Sequence, residues 1–149
     1  MQKFIKFWVL IALTSLLAGC TNSIDIYLHS APKLNQDQKH KSLPVQVRIY
    51  QLKDKNAFSQ ATFRELWQTD TATLGNSLLD KKTITVKPDE TTKVSINCKD
   101  KCKYIGIAAI FRSPQGDSWH TLYEIPDSIG VLSLKIKVNL HNNTVTIMR

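Results

Sequence analysis

Two cysteines, Cys98 and Cys102, are separated by three residues between two strand-like runs and are the first candidates for side-chain chemistry. A disulfide across the end of a hairpin is the favoured interpretation in an oxidising compartment. The loop that it closes is short, so the chain-entropy model gives a stabilisation of only about 2 kcal/mol. Metal binding is the alternative, but zinc needs three or four ligands and no histidine lies near this pair in sequence.

Other reactive side chains do not form a recognisable catalytic motif. Glu124 and Asp127 are close in sequence, and paired carboxylates can do acid–base work, but Pro126 between them indicates a solvated turn. No His-Glu-x-x-His, Gly-x-Ser-x-Gly or P-loop pattern occurs. The sequence therefore predicts a protein that is not an enzyme and that holds no metal or cofactor. The histidines are far apart and lie in unlike contexts: His29, His40, His120 and His141.

The N-terminal region has the layout of a secretory signal peptide. Lys3 and Lys6 precede an uncharged apolar run that is too short to span a bilayer. The run ends in Leu17-Ala18-Gly19-Cys20, which resembles the lipobox of bacterial lipoproteins. The resemblance implies that residues 1–19 are removed and that Cys20 is acylated, palmitate included. Two or more acyl chains hold a protein stably on a membrane.

The residues that follow Cys20 and the charge of the chain bear on its location and partners. Thr21 rather than Asp follows Cys20, which by resemblance to the lipoprotein sorting rule favours the outer membrane, with the domain facing the periplasm. The formal net charge is +8 at pH 7, from 20 basic and 12 acidic residues. The lysines are scattered with no run longer than two, so a solvated surface is favoured over binding to nucleic acid.

The hydrophobic periodicity predicts a mainly β protein. Alternating or apolar runs predict strands at 24–28, 45–52, 83–86, 92–97, 104–111, 119–125, 132–140 and 145–148. The run at 104–111 is apolar throughout, so it is expected to be buried on both faces. Trp119 is expected to lie half in the core at a strand edge, in preference to a binding patch with His120.

The connections between these strands divide into a helical insert and a loop. The period changes after the second strand, which predicts a helical insert at about 54–80 that begins with one short helix over 54–67. Residues 31–43 are polar and without periodicity, and so predict a long loop. Residues 20–23 would form a tether and residues 24–149 a single β-sandwich domain.

Several segments together resemble the TssJ family, the outer-membrane lipoproteins of the bacterial type VI secretion system. The most specific is Leu43-Pro44-Val45-Gln46-Val47-Arg48-Ile49-Tyr50-Gln51-Leu52, and the supporting segments are Leu34-Asn35, Phe58-Ser59-Gln60-Ala61-Thr62-Phe63, Leu74-Gly75-x-x-Leu78-Leu79 and the apolar strand 105–112. The resemblance implies a transthyretin-like β-sandwich of about eight strands with extra helices after the second strand. It also implies a structural, non-catalytic role.

In that family the protein joins TssM and TssL in a complex that anchors the secretion apparatus, and the loop between the first two strands contacts the periplasmic C-terminal region of TssM. We expect this loop close to the tether, and its mostly positive charge predicts an acidic complement on the partner. A periplasmic lipoprotein of an unrelated pathway that binds a small ligand or a protein is the alternative. On this sequence the loop corresponds to Lys33, Leu34, Asn35, Gln36, Asp37, Gln38, Lys39, His40, Lys41 and Ser42.

Overall fold

The structure is a computed structural model that describes residues 23–127 and 133–148. The predicted signal peptide 1–19 and the lipidation site Cys20 lie outside the described residues. Within the described residues, no helix has both the length and the apolar character needed to cross a membrane.

Within residues 23–127 and 133–148, eight strands form two four-stranded sheets. The first sheet has the order β4-β1-β7-β8 and the second the order β3-β2-β5-β6. Neighbouring strands are antiparallel except β1 and β7, which are parallel. The prediction of a mainly β sandwich with about eight strands is confirmed. The strands are β1 Ser23–Leu34, β2 Val45–Leu52, β3 Leu78–Val86, β4 Thr91–Asn97, β5 Tyr104–Ile110, β6 His120–Glu124, β7 Leu134–Asn142 and β8 Thr144–Met148.

The core lies between the two sheets and follows the alternation of the strands. Each fully buried aliphatic side chain contributes roughly 1.5–3 kcal/mol relative to exposure, so these positions supply most of the stabilisation. Polar residues alternate with them and point away from the core on the first sheet. The inward side chains at no more than 1% exposure include Ile24, Ile26 and Leu28 of β1, Val45, Val47 and Ile49 of β2, and Ile136, Val138 and Leu140 of β7.

The helical insert after β2 consists of α1 Asn56–Gln60, α2 Phe63–Gln68 and α3 Asp70–Leu74, followed by a 3-10 turn at Gly75–Ser77. The sequence predicts one helix in its first part, whereas the structure divides that part before Thr62. The Thr62 hydroxyl accepts the Glu65 backbone N–H at 3.3 Å, and the Glu65 carboxylate accepts the Thr62 backbone N–H at 2.8 Å. This capping box starts a new helix.

The insert covers the outer face of the second sheet. Phe58 of α1 lies against Gly106 of β5, where a Cβ added to the glycine would stand only 2.7 Å from the Phe58 ring. Only glycine leaves room for this ring at the sheet surface. Residues 105–109 are consequently buried from both sides, as predicted for this strand.

Strand β1 runs farther than its sequence pattern indicates. Its 12 residues extend to Leu34, which is fully buried and pairs with Asn142 of β7. The register shifts between Ser30 and Leu34, and Pro32 falls within this irregular part, where a missing N–H is tolerated. Residues 31–34, which were predicted to be loop and include the predicted site residues Lys33 and Leu34, therefore belong to β1.

The length of β1 separates the two ends of the sandwich. Ser23 pairs with Asn97 at what we call the tether end, and Leu34 pairs with Asn142 at the loop end. Twelve residues at about 3.3 Å each span roughly 40 Å. The expectation that the β1–β2 loop lies close to the tether is wrong, because the intervening residues form one extended strand. The connections at 35–44, 87–90 and 111–119 and the turn at Asn143 lie at the loop end.

Candidate partner-binding surface

The β1–β2 loop begins at Asn35, which is only 4% exposed although most of the loop is solvent-accessible. Its side-chain amide donates to the Pro44 carbonyl at 2.8 Å and accepts the Arg112 backbone N–H at 2.9 Å. Its own backbone N–H donates to the Asn142 carbonyl at 2.8 Å. Asn35 has φ +47°, a conformation that asparagine tolerates better than most residues. One residue thus fixes the loop to two neighbouring connections.

Asp37 organises the exposed tip of the loop. Its carboxylate accepts the backbone N–H groups of Lys39 at 2.8 Å and Lys41 at 2.9 Å. The backbone N–H of Asp37 donates to the Lys41 carbonyl at 3.0 Å, and that of His40 donates to the Asp37 carbonyl at 3.0 Å. The hydrogen bonds from Lys41 and Lys39 hold the pKa of Asp37 below its usual value. We call residues 37–41 the Asp37 turn.

The base of the loop is closed by contacts to the end of β1. The Ser42 hydroxyl accepts the Leu34 backbone N–H at 3.3 Å, and the Leu43 backbone N–H donates to the Leu34 carbonyl at 3.0 Å. The amide of Gln36 donates to the His40 carbonyl at 2.8 Å. The loop is therefore an ordered structure in which backbone polar groups have specific partners, although its sequence shows no periodic pattern.

The charges on this surface are mostly positive. Lys39 and Lys41 belong to the Asp37 turn and Lys33 lies at the end of β1, while Arg112 lies across a shallow groove of ≈ 400 Å³ from Asp37. None of these four cations forms an ion pair within the described residues. Unpaired basic side chains beside an ordered turn favour an acidic binding partner.

A second polar cluster lies under the helical insert, around Asp70 at the start of α3. Its carboxylate is 3.1 Å from Arg48 Nη1 and 2.9 Å from Lys81 Nζ, and it accepts the Tyr50 hydroxyl at 3.0 Å. Burial raises the pKa of Asp70, but the hydrogen bonds from Lys81 and Tyr50 outweigh this and hold that pKa below its usual value. Burial also raises the pKa of Tyr50. We call these four residues the Asp70 cluster.

The Asp70 cluster holds α2 as well as α3. Arg48 Nη1 donates to the carbonyls of Leu66 at 2.6 Å and Trp67 at 3.1 Å, both in the last turn of α2. These carbonyls have no partner inside the helix, and a guanidinium at a helix C-terminus is favourable. Arg48 therefore joins β2 to two helices of the insert.

A row of aromatic rings leads from the buried side of the insert to the surface. Phe63 lies edge-to-face on Trp119 with ring centroids 5.2 Å apart, and its centroid is 6.4 Å from that of Trp67. Trp119 also stacks on His120 at 4.1 Å, and burial lowers the pKa of His120. Trp119 is only 2% exposed, whereas Trp67 is 50% exposed. Trp119 is thus buried more deeply than its expected place at a strand edge, and the sequence pattern assigns Trp67 no role.

The two cysteines of the β4–β5 turn are free thiols in the structure, so the predicted disulfide is not formed in it. The Cys98 thiol is directed to the Cys102 carbonyl at 3.8 Å and the Cys102 thiol to the Tyr104 carbonyl at 3.7 Å. Burial and the neighbouring Cys98 thiol raise the pKa of Cys102 to about 12. Both residues are half-buried at the tether end.

The turn that carries the cysteines is fixed by a buried glutamine from β2. The amide of Gln51 donates to the Asn97 carbonyl at 3.0 Å and accepts the Lys99 backbone N–H at 2.8 Å. Gln51 is 4% exposed and reaches across from the second sheet to the end of β4 in the first. This glutamine therefore joins the two sheets at the tether end.

The remaining candidate side chains are dispersed. Glu124 and Asp127 are both exposed around the end of β6, in keeping with a solvated turn. His29 lies on β1 with Nδ1 2.9 Å from the Thr91 hydroxyl, and His40 lies in the Asp37 turn. In the described ranges, no group of three or more His, Cys, Asp or Glu residues is placed to hold a metal ion.

The fold and this surface define a class of protein: a β-sandwich with a helical insert on one sheet and an ordered, basic loop at one end. The family model described as type VI secretion lipoprotein, VasD, EvfM, TssJ, VC_A0113 matches residues 22–143. The chain belongs to this family of type VI secretion lipoproteins, as the resemblance to TssJ predicted. No curated protein sequence matches the chain.

Three solved structures show the same fold. The type VI secretion lipoprotein TssJ1 from Pseudomonas aeruginosa is 23% identical with a TM-score of 0.77, covering 86% of this chain and 95% of that one. Serratia marcescens Lip, a membrane-bound component of the system, is 18% identical with a TM-score of 0.80, covering 88% and 100%. A chain in the structure of the TssM C-terminal domain from EAEC is 22% identical with a TM-score of 0.73, covering 85% and 98%.

Proposed function

We propose that this protein is a non-catalytic structural lipoprotein of the type VI secretion membrane complex. It is anchored in the outer membrane by lipidated Cys20 after removal of residues 1–19, and its domain of residues 24–149 faces the periplasm. The loop from Lys33 to Ser42 binds the periplasmic C-terminal region of TssM and, through TssM, connects the outer membrane to TssL. Membership of the type VI secretion lipoprotein family supports this role, and so does the presence of a similar chain in a TssM structure.

The observation that carries the proposal is the order of the loop. Asn35 and Asp37 hold the loop in one conformation through side-chain hydrogen bonds to backbone groups. The loop is therefore already ordered before a partner binds. A pre-organised loop binds more tightly because less conformational entropy is lost. Its place about 40 Å from the tether end directs it away from the membrane that holds Cys20, toward a partner anchored in the opposite membrane.

The proposal is tested by replacing residues 36–41 with glycine and serine in the full chain. This change keeps Leu34 and Asn35, which are buried, so the sandwich is expected to stay folded with an unchanged circular dichroism spectrum. Binding to a TssM periplasmic fragment should be lost. The matched control is the same replacement at residues 99–101 of the tether end, which should leave the affinity unchanged. Equal affinity of the two variants would remove the loop assignment.

The anchor is tested separately. The variant Cys20→Ala should move the protein from the membrane to the soluble fraction and abolish incorporation of labelled palmitate. The variant Thr21→Asp should move the lipidated protein from outer-membrane to inner-membrane fractions. Retention of Cys20→Ala on membranes would contradict lipidation at this residue.

The disulfide between Cys98 and Cys102 is proposed as the form present in the periplasm. The expected hairpin is not present, because β4 and β5 on either side of the turn belong to different sheets. The short separation of the two residues within this turn and the half-burial of both thiols support the disulfide. A protein disulfide of the compartment would accept the two electrons and two protons by thiol–disulfide exchange. Protein extracted under acid quench should resist alkylation at both positions until it is reduced; two readily alkylated thiols would contradict the pairing.

A further inference from the structure

Two large apolar side chains are exposed in the described part of the chain, Trp67 at 50% and Met148 at 40%. The two side chains lie on different sides of the sandwich. Met148 is the last residue of β8, whose partner Lys137 and neighbouring residues belong to the first sheet. Trp67 lies on the insert over the second sheet, on the side of β2 from which the loop enters. A single exposed apolar residue is normal, so the significance of Trp67 depends on where it lies and on the residues that pack against it.

Trp67 lies beside the half of β2 that follows the loop. Its carbonyl accepts a hydrogen bond from Arg48, and Arg48 is three residues after Val45, where β2 leaves the loop. Three residues of strand span about 10 Å. A standard interface buries ~800 Å² on each partner, a patch of roughly 16 Å radius. A partner seated on the loop therefore reaches the surface around Trp67.

Trp67 is held in place by neighbouring side chains. Phe63 lies beside the Trp67 ring and is itself packed edge-to-face on the buried ring of Trp119. The backbone at Trp67 is fixed by Arg48, which is held in turn by Asp70. Buried ion pairs add little net stability but can fix one arrangement among several. An aromatic side chain presented in a fixed position loses little entropy on binding.

We infer that Trp67 is a second anchor for the protein partner that binds the loop, inserting into an apolar pocket of that partner while Lys39 and Lys41 meet acidic side chains at the rim. The inference rests on the proposed function. Tryptophan and arginine are enriched among the few interface positions that carry most of the binding energy. Trp67 takes this role rather than Met148 because Trp67 lies on the insert beside β2, the strand that the loop enters, whereas Met148 ends β8 of the first sheet.

The test measures the affinity of the full lipidated chain, in detergent, for the TssM periplasmic fragment. Trp67→Ala should weaken binding by at least about 30-fold, as expected for a central interface tryptophan. Trp67→Phe should recover part of the loss. The matched control Met148→Ala should change the affinity by less than about twofold, as is normal for a residue outside the interface. Circular dichroism melting checks that each variant is folded.

The outcomes separate this inference from the proposed function. If Trp67→Ala binds as wild type while the 36–41 replacement does not bind, the anchor role is wrong and the loop assignment stands. If both variants bind as wild type, the loop assignment and the anchor role are both wrong. If the wild-type protein itself does not bind the fragment, the proposed function fails. If Met148→Ala weakens binding as strongly as Trp67→Ala, the effect is not specific to the surface beside the loop and the inference is overturned.

Discussion

Two aspartates, Asp37 and Asp70, each organise one region of the molecule, and each has a lowered pKa for a different reason. Asp37 is at the surface and accepts backbone N–H groups of its own turn. Asp70 is 7% exposed and is surrounded by Arg48, Lys81 and Tyr50 from the second sheet. The first arrangement shapes a loop, whereas the second attaches a whole insert to the domain. Removing the first should mainly affect binding, and removing the second should mainly affect stability.

The largest effect is expected at Asp70. Asp70→Ala leaves Arg48 and Lys81 without their counter-charge beneath the insert, which should lower the free energy of unfolding by about 3 kcal/mol. Denaturant unfolding checks the value. The control Asp25→Ala removes a carboxylate that bonds Lys93 and Ser95 on the open face of the first sheet, and it should change the midpoint little. Equal losses for the two variants would break the comparison between buried and exposed aspartates.

Gly106→Ala tests the attachment of the insert through packing instead of charge. The new Cβ would meet the Phe58 ring at 2.7 Å, so α1 must shift, at a cost of roughly 1–3 kcal/mol. Thermal unfolding measures the loss. In a Phe58→Leu background the same substitution should cost less, because the ring is gone and the two changes are coupled. If the stability changes of the two substitutions were strictly additive, the contact between the new Cβ and the Phe58 ring would be relieved by movement elsewhere.

Asn35→Ala tests whether the order of the loop depends on its buried first residue. The Pro44 carbonyl and the Arg112 backbone N–H lose their partner, at a cost of about 1–2 kcal/mol. Amide hydrogen exchange in residues 36–42 should accelerate, and affinity for the TssM fragment should fall. A variant that keeps wild-type exchange in the loop would show that the Asp37 turn forms without its anchor at Asn35.

The smallest effect is expected on the thermal midpoint at acidic pH. The folded pKa values of Asp37 and Asp70 lie below their unfolded value of 3.8, so both contribute stability that is present above 3.8 and is lost as pH falls through the lower folded values. Asp70→Asn should therefore flatten the fall of the thermal midpoint below pH ~4, and Asp37→Asn should flatten it less. A change centred near pH ~6.5 would point to histidine instead.

The sandwich could be predicted because several of its strands alternate over five or more residues. The alternation of β1, β2 and β7 identifies the core positions, and the change of period after Leu52 identifies the insert. The division of the insert is marked by Thr62-Phe63-Arg64-Glu65, a capping-box pattern, although the apolar spacing alone favours one continuous helix. The extension of β1 through Pro32 has no such signal, because a strand interrupted by proline and a register shift has no clear alternation.

The candidate binding surface was only partly predictable. The loop is located by the resemblance to TssJ, but its order depends on side-chain bonds from Asn35 and Asp37 to backbone groups, which leave no hydrophobic pattern. The pairing of Arg48 with Asp70 joins residues 22 positions apart on different elements. The exposure of Trp67 could not be inferred, because helices of five or six residues are too short to define an apolar face.

The central claim is that the loop end of the sandwich, and not the tether end, meets the partner. A photo-crosslinking amino acid placed at Lys39 in the Asp37 turn, or at Lys101 in the cysteine turn of the tether end, tests this directly in intact cells. Both lysines are exposed, so the replacement should leave the domain folded. A covalent product with TssM is expected from position 39 and none from position 101. A TssM product from position 101 alone would contradict the claim.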